Sequence, residues 1–110
     1  MREPTYFILA ALQDEPLHGY AIITRAGELS QGRVRLATGT LYAALERLTG
    51  EGYVESGHEE IVNGRARRYY ATTPDGEAAL RAEAAHLADA ARVVTDRATR
   101  LARRPAAGLA

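Results

Sequence analysis

The chain of 110 residues contains no cysteine, so neither a disulfide nor a thiolate-held metal can stabilise it. Its formal charge is zero, with fourteen arginines against fourteen acids, so bulk charge gives no attraction to nucleic acid. Every basic residue is arginine and none is lysine, a bias that carries no functional weight. Long hydrophobic runs are missing as well. The N-terminal MREPTYFILAALQDEP holds one short apolar stretch flanked by acids, with no small-residue cleavage site. That layout predicts neither a membrane span nor a secretory leader, and hence a cytoplasmic protein. His18, His58 and His86 fall on different predicted elements without paired spacing, which predicts no zinc site. Ser30, Ser56 and these histidines form no nucleophile–base arrangement, and there is no glycine-rich phosphate loop. Catalysis is not expected, no cofactor is implied, and no internal repeat is present.

What remains is an ordinary globular composition, 46% apolar and 25% charged, enough for one domain with a modest core. The zero net charge conceals some sorting. Residues 1–32 carry two arginines against four acids, whereas residues 33–70 carry six arginines against five glutamates. Local placement, not bulk charge, has to locate any anionic partner.

Pro4 suits the first turn of a helix that runs through the apolar residues 6–12, and Asp14-Glu15-Pro16-Leu17 is the turn that follows. A second helix is predicted from about His18 to Leu29, closed by Ser30-Gln31-Gly32. A third is predicted over TGTLYAALERL, residues 38–48. At about 100° per residue it puts Leu41, Ala44, Leu45 and Leu48 on one face and Thr40, Tyr42, Ala43, Glu46 and Arg47 opposite. After Gly52 the residues become β-favouring, and Asn63-Gly64 is the preferred centre of a two-residue hairpin. This turn predicts Val62 opposite Arg65, Glu60 opposite Arg67 and Glu59 opposite Arg68. Arg65, Arg67 and Tyr69 then share one face of the returning strand, with Ala66, Arg68 and Tyr70 on the other. One of the two tyrosines is expected to anchor the hairpin on the helices.

Thr73-Pro74 opens a helix that nothing interrupts as far as residue 104, roughly 45 Å at 1.5 Å per residue. Along it, Leu80, Leu87, Val94 and Leu101 recur every seven residues, with Ala84, Ala91 and Ala98 between them. This reads as a heptad seam whose alanines admit a close partner helix. The alternative is packing against the first helix of the same chain. Residues 105–110 are expected to be a frayed tail.

Three helices, a hairpin and a long helix predict a mainly helical α+β fold. Residues 1–72 would form a winged helix-turn-helix and residues 73–110 a dimerisation helix. In that arrangement the third helix enters the DNA major groove. Thr38, Thr40 and Tyr42 would donate to bases or phosphates, and Arg47 would meet a phosphate. Arg65 and Arg67 at the hairpin tip could straddle a backbone or enter a minor groove, with Arg33 and Arg35 adding phosphate contacts. Plainer readings remain open: Thr38 as a helix cap, and the wing arginines as a solvated, salt-bridged edge.

The segments PLHGYAI (residues 16–22), GTLYAALERL (39–48), EGYVES (51–56) and GRARRYYATTPDGEAAL (64–80) resemble the PadR-type transcriptional regulators. The resemblance covers residues 7–80. It implies a dimeric winged-helix repressor of operator DNA that responds to phenolic acids, drugs or other small molecules. DNA contacts would map onto Thr38, Thr40, Tyr42, Arg65 and Arg67, with His18 and Tyr20 approaching the backbone. Ala43 stands where proline is frequent in the family. The chain also has no tryptophan, which argues against a drug stacked between tryptophans. Tyr6, Phe7 and the long helix could instead line a site for a small aromatic or hydrophobic effector. A second class of function is a winged-helix adaptor whose wing meets an acidic protein and never touches DNA.

Overall fold

A computed structural model describes residues 1–103. The order is α1 (Glu3–Ala11), β1 (Leu17–His18), α2 (Gly19–Leu29), α3 (Thr38–Gly50), β2 (Val54–Val62), β3 (Arg65–Thr72) and α4 (Pro74–Ala102). The tail expected at residues 105–110 lies outside the described residues, as does the side chain of Ala98.

The run YFILAAL has no polar face because α1 is covered on more than one side. It packs on α2 and also on α4, burying Ile8, Leu9, Ala11 and Leu12. Leu41, Leu45 and Leu48 of α3 meet them with Ile22 of α2, and Val54, Tyr70 and Leu80 complete the core. The leucine face expected of α3 is therefore the observed one.

Between α2 and α3 the chain turns through Gln31 (φ 56°) and Gly32 (φ 83°). The buried Ser30 hydroxyl fixes this turn, accepting from the Val34 amide at 2.9 Å and donating to the Gly27 carbonyl at 3.2 Å.

The hairpin has the predicted register: Val62 opposes Arg65, Glu60 opposes Arg67 and Glu59 opposes Arg68. Asn63 and Gly64 both take positive φ, 53° and 75°, as a turn matched to the strand twist requires. A register shift falls between Ser56 and Glu59. The sheet has a third strand that the sequence reading did not include. β1 adds to the free side of β3, pairing Leu17 with Tyr70 and His18 with Tyr69, to give the order β1-β3-β2.

α4 begins as expected and is locked to the domain. Thr73 Oγ1 accepts from the Gly76 amide at 3.0 Å and donates to the Gly52 carbonyl at 2.6 Å. A Cβ on Gly76 would lie 2.0 Å from the Tyr53 carbonyl oxygen, so only glycine admits this approach. The docking corrects one feature of the heptad seam. Leu80 is 3% exposed inside the core of its own subunit, because the first turns of α4 are pressed onto the helices. The apolar stripe left exposed along α4 therefore starts near Ala84. Beyond it Leu87, Val94 and Leu101 are exposed. α4 projects so far that the radius of gyration is 19.2 Å, against about 13 Å for a compact chain of this size. No helix among the described residues is long and apolar enough to cross a membrane.

Candidate nucleic-acid interface

The first turn of α3 is open. Its N-cap is Ala37, which has no side-chain acceptor, so Thr38 is the first helical residue and not the cap. A helix start leaves its first amides without intrahelical acceptors and carries the positive end of the helix dipole. Thr38, Gly39 and Thr40 surround that end and are all exposed.

The two flanks of α3 differ. Thr40, Ala43, Ala44 and Arg47 line a shallow cleft against α1, with Arg2, Thr5 and Leu36. Arg47 is already engaged there, donating from Nη2 to Thr5 Oγ1 at 2.8 Å and pairing with Glu51 at 3.8 Å. On the other flank Tyr42, Glu46 and Thr49 face Ser56, Arg68 and Tyr70 across a cleft between α3 and the hairpin. The expected donors on α3 are thus divided between two sides of the helix.

Tyr42 has a packing role that its motif alone did not indicate. A Cβ on Gly19 would sit 2.5 Å from the Tyr42 hydroxyl oxygen and 3.0 Å from Cζ. Glycine at the start of α2 is what lets the phenol lie there, while the ring meets Tyr70 edge-on at 6.5 Å. Tyr42 stays 45% exposed, so the ring is both wedged and accessible. The HGY, GTLY and YY segments converge at this point.

His18 caps α2, its Nδ1 accepting from the Ala21 amide at 3.4 Å. In that arrangement a neutral imidazole carries its proton on Nε2. The ring meets Tyr69 edge-on at 5.6 Å, and His58 stacks on Tyr69 at 4.4 Å. Tyr20, the second residue of α2, projects into solvent at 76% exposure. The HGY segment is therefore tied to the base of the wing through β1.

On the wing, Tyr70 is the buried anchor of the two tyrosines. Hydrogen bonding to the Glu60 carboxylate holds the Tyr69 phenol above its ordinary pKa, against an opposing pull from Arg67. Arg68 pairs with Glu59 at 3.3 Å on the side facing α3. Arg65 and Arg67 are exposed and make no ion pair among the described residues. Of the two arginines before α3, Arg33 is bonded to Glu3 through two contacts of 3.1 and 2.9 Å. Arg35 donates to the Gly32 carbonyl at 3.1 Å, has no carboxylate partner among the described residues, and is exposed. Sequence reading could not separate these two, because the partner of Arg33 lies thirty residues away on α1. Among the described residues no group of three metal-ligating side chains is present.

Three helices, a hairpin joined to them by a short third strand, and an exposed third helix define a winged helix-turn-helix protein. The family model described as "Transcriptional regulator PadR-like family" matches residues 8–82. The chain belongs to the PadR-like family of transcriptional regulators, a family of regulators and not of enzymes. It is 42% identical over 87 residues to the transcriptional regulator Rv3488 of Mycobacterium tuberculosis, covering 79% of this chain and 78% of that one. The fold is similar to that of a PadR family transcription regulator from Clostridium difficile, with TM-score 0.72 and 22% identity over 86% of this chain and 97% of that one. Bacillus subtilis PadR, solved in complex with operator DNA, is similar at TM-score 0.64 and 26% identity, over 73% of this chain and 45% of that one.

Proposed function

We propose that the protein is a cytoplasmic, homodimeric, sequence-specific repressor of transcription, released from its operator by a small-molecule effector. Residues 1–72 act as the reading unit and residues 73–110 as the dimerisation arm. One observation carries the DNA reading: an uncapped, exposed α3 N-terminus accompanies two wing guanidiniums that lack carboxylate partners among the described residues. Thr38, Thr40 and Tyr42 serve the major groove, while Arg65 and Arg67 take phosphates or the adjoining minor groove. His18, Tyr20, Arg35 and Arg47 flank these groups and meet the backbone. The similarity to a PadR protein solved on operator DNA supports the same partner for this chain.

Dimerisation runs through Ala84, Leu87, Ala91, Val94 and Leu101 of α4, with Ala98 in the same heptad series. Two reading helices then face successive major grooves, about 34 Å apart. A small aromatic or hydrophobic effector would lie against Tyr6, Phe7 and Leu87 in a cleft of about 250 Å³ between α1 and α4, which Glu3, Arg33 and Glu83 also line. By binding one pairing angle of the α4 helices better than another, it would shift the reading heads out of register.

The test is binding to the DNA upstream of the protein's own gene across a range of salt. Each phosphate-contacting arginine is expected to contribute about 0.9 to the slope of log affinity against log salt, lost in Arg65→Ala and Arg67→Ala. A protein with no affinity for duplex DNA at any salt would instead be an adaptor. An effector that binds tightly but leaves operator affinity unchanged removes the account of induction.

A further inference from the structure

The hairpin is electrically balanced. Glu55, Glu59 and Glu60 on β2 stand against Arg65, Arg67 and Arg68 on β3, an unexpected composition for a surface that meets phosphates. The three arginines are not equivalent. Arg65 and Arg67 lie on one face, and Glu60, opposite Arg67, is drawn toward the Tyr69 phenol. Arg68 lies on the other face, turned toward α3, and among the described residues is the one of the three held by a carboxylate, that of Glu59. Glu46 lines the same cleft as Arg68, so a second carboxylate lies on this side of the wing although only Glu59 is paired with the guanidinium.

We propose that Glu59 is a specificity-determining residue, an internal stand-in for phosphate that occupies Arg68 until a correctly seated duplex displaces it. The inference rests on the DNA-binding reading above. The pair is open to water on both sides, with side-chain exposures of 56% and 55%, so it exchanges partners easily. A phosphate arriving at random meets the Glu46 and Glu59 carboxylates as well as one neutralised arginine. A duplex already held by the α3 threonines and by Arg65 and Arg67 brings a phosphate close enough to take Arg68 from Glu59. Arg68 thus contributes to the seated complex and little to casual encounters. Specificity gains because the non-specific state is weakened, not because a base is read.

The experiment compares full-length wild type, Glu59→Gln, Arg68→Ala and the double variant on two duplexes, one of random sequence and one from the upstream region. Affinity is measured by fluorescence anisotropy over a salt series, with circular dichroism confirming the fold of each protein. Glu59→Gln should bind the random duplex about five- to tenfold more tightly at low salt, with a salt slope steeper by about 0.9. The gain on the upstream duplex should be smaller, so discrimination falls. Arg68→Ala should abolish the gain, leaving the double variant like the single one. The proposal is overturned if Glu59→Gln matches wild type on the random duplex, or if its gain survives without Arg68. Wild type that binds neither duplex would overturn the DNA reading and the latch with it, whereas failure of the latch alone leaves wild-type binding intact.

Discussion

Gly19 and Tyr42 illustrate how a single hydrogen atom can set the seat of an exposed ring. Gly19 does not need glycine for its backbone, since it is a helical residue outside the positive-φ set. It needs it for space, because a Cβ would overlap the Tyr42 phenol at 2.5 Å. Alanine at this position should therefore push the ring off its seat and disturb both α3 and its contact with Tyr70. Without Tyr42 the same methyl meets nothing so close, and alanine gains about 0.4–1 kcal/mol by restricting the unfolded chain. We expect Gly19→Ala to lower stability and weaken upstream-DNA binding by about tenfold or more. In a Tyr42→Ala background it should be neutral or mildly stabilising. Denaturant unfolding and DNA titration of the four proteins check this; additive losses would mean the two residues are not coupled. Tyr42→Phe removes the closest contact but keeps the ring, whose Cζ position lies 3.0 Å from the would-be Cβ, so altered sequence preference with unchanged stability in that variant reports the hydroxyl. The motifs HGY and GTLY were visible in the chain, but their meeting was not, since contact across α2 and α3 leaves no periodic trace in either segment.

Local rules succeeded among the elements wherever the determinants were local. Asn63-Gly64 sets a two-residue turn, and the turn sets every cross-strand pair beyond it up to the irregularity near Gly57 and His58. β1 was not legible for the opposite reason. Two residues show no alternation, and their pairing with Tyr69 and Tyr70 depends on how the helices place Leu17 and His18. The same distinction explains Leu80. Its seven-residue spacing is genuine, but the docking of the first turn of α4 on Tyr53 turns it into the core. That docking can be tested. Thr73→Ala removes a side-chain cap and should cost about 0.5–2 kcal/mol. Gly76→Ala should cost more than Thr73→Ala, although alanine is the better helix former by about 1 kcal/mol, because its methyl would collide with the Tyr53 carbonyl. Urea unfolding of both variants gives the order; a more stable Gly76→Ala protein would show that α4 does not enter along this path.

At the scale of the whole molecule, the exposed length of α4 calls for a partner. It runs for 29 residues, about 43 Å at 1.5 Å per residue, and only its first turns are covered by the domain. Further along, Leu87 is half exposed and Val94 is 72% exposed, on the heptad series that includes Ala84 and Ala91. Such a row left in water is a poor end state, and a second copy would bury it with small residues allowing a close approach. Leu80 and Val94 occupy the same heptad position but should respond to different perturbations. Leu80→Ala should remove core packing, costing about 2–5 kcal/mol of stability. Val94→Glu should put two carboxylates into the seam of a dimer and dissociate it, while leaving the fold of each subunit as judged by circular dichroism. Sedimentation velocity would then give a monomer for Val94→Glu. Its affinity for upstream DNA should fall by about 100-fold or more, because one reading head no longer recruits the other. If wild type sediments as a dimer and Val94→Glu does the same, the row on α4 is not the interface; if wild type is itself a monomer, the proposed dimer is lost.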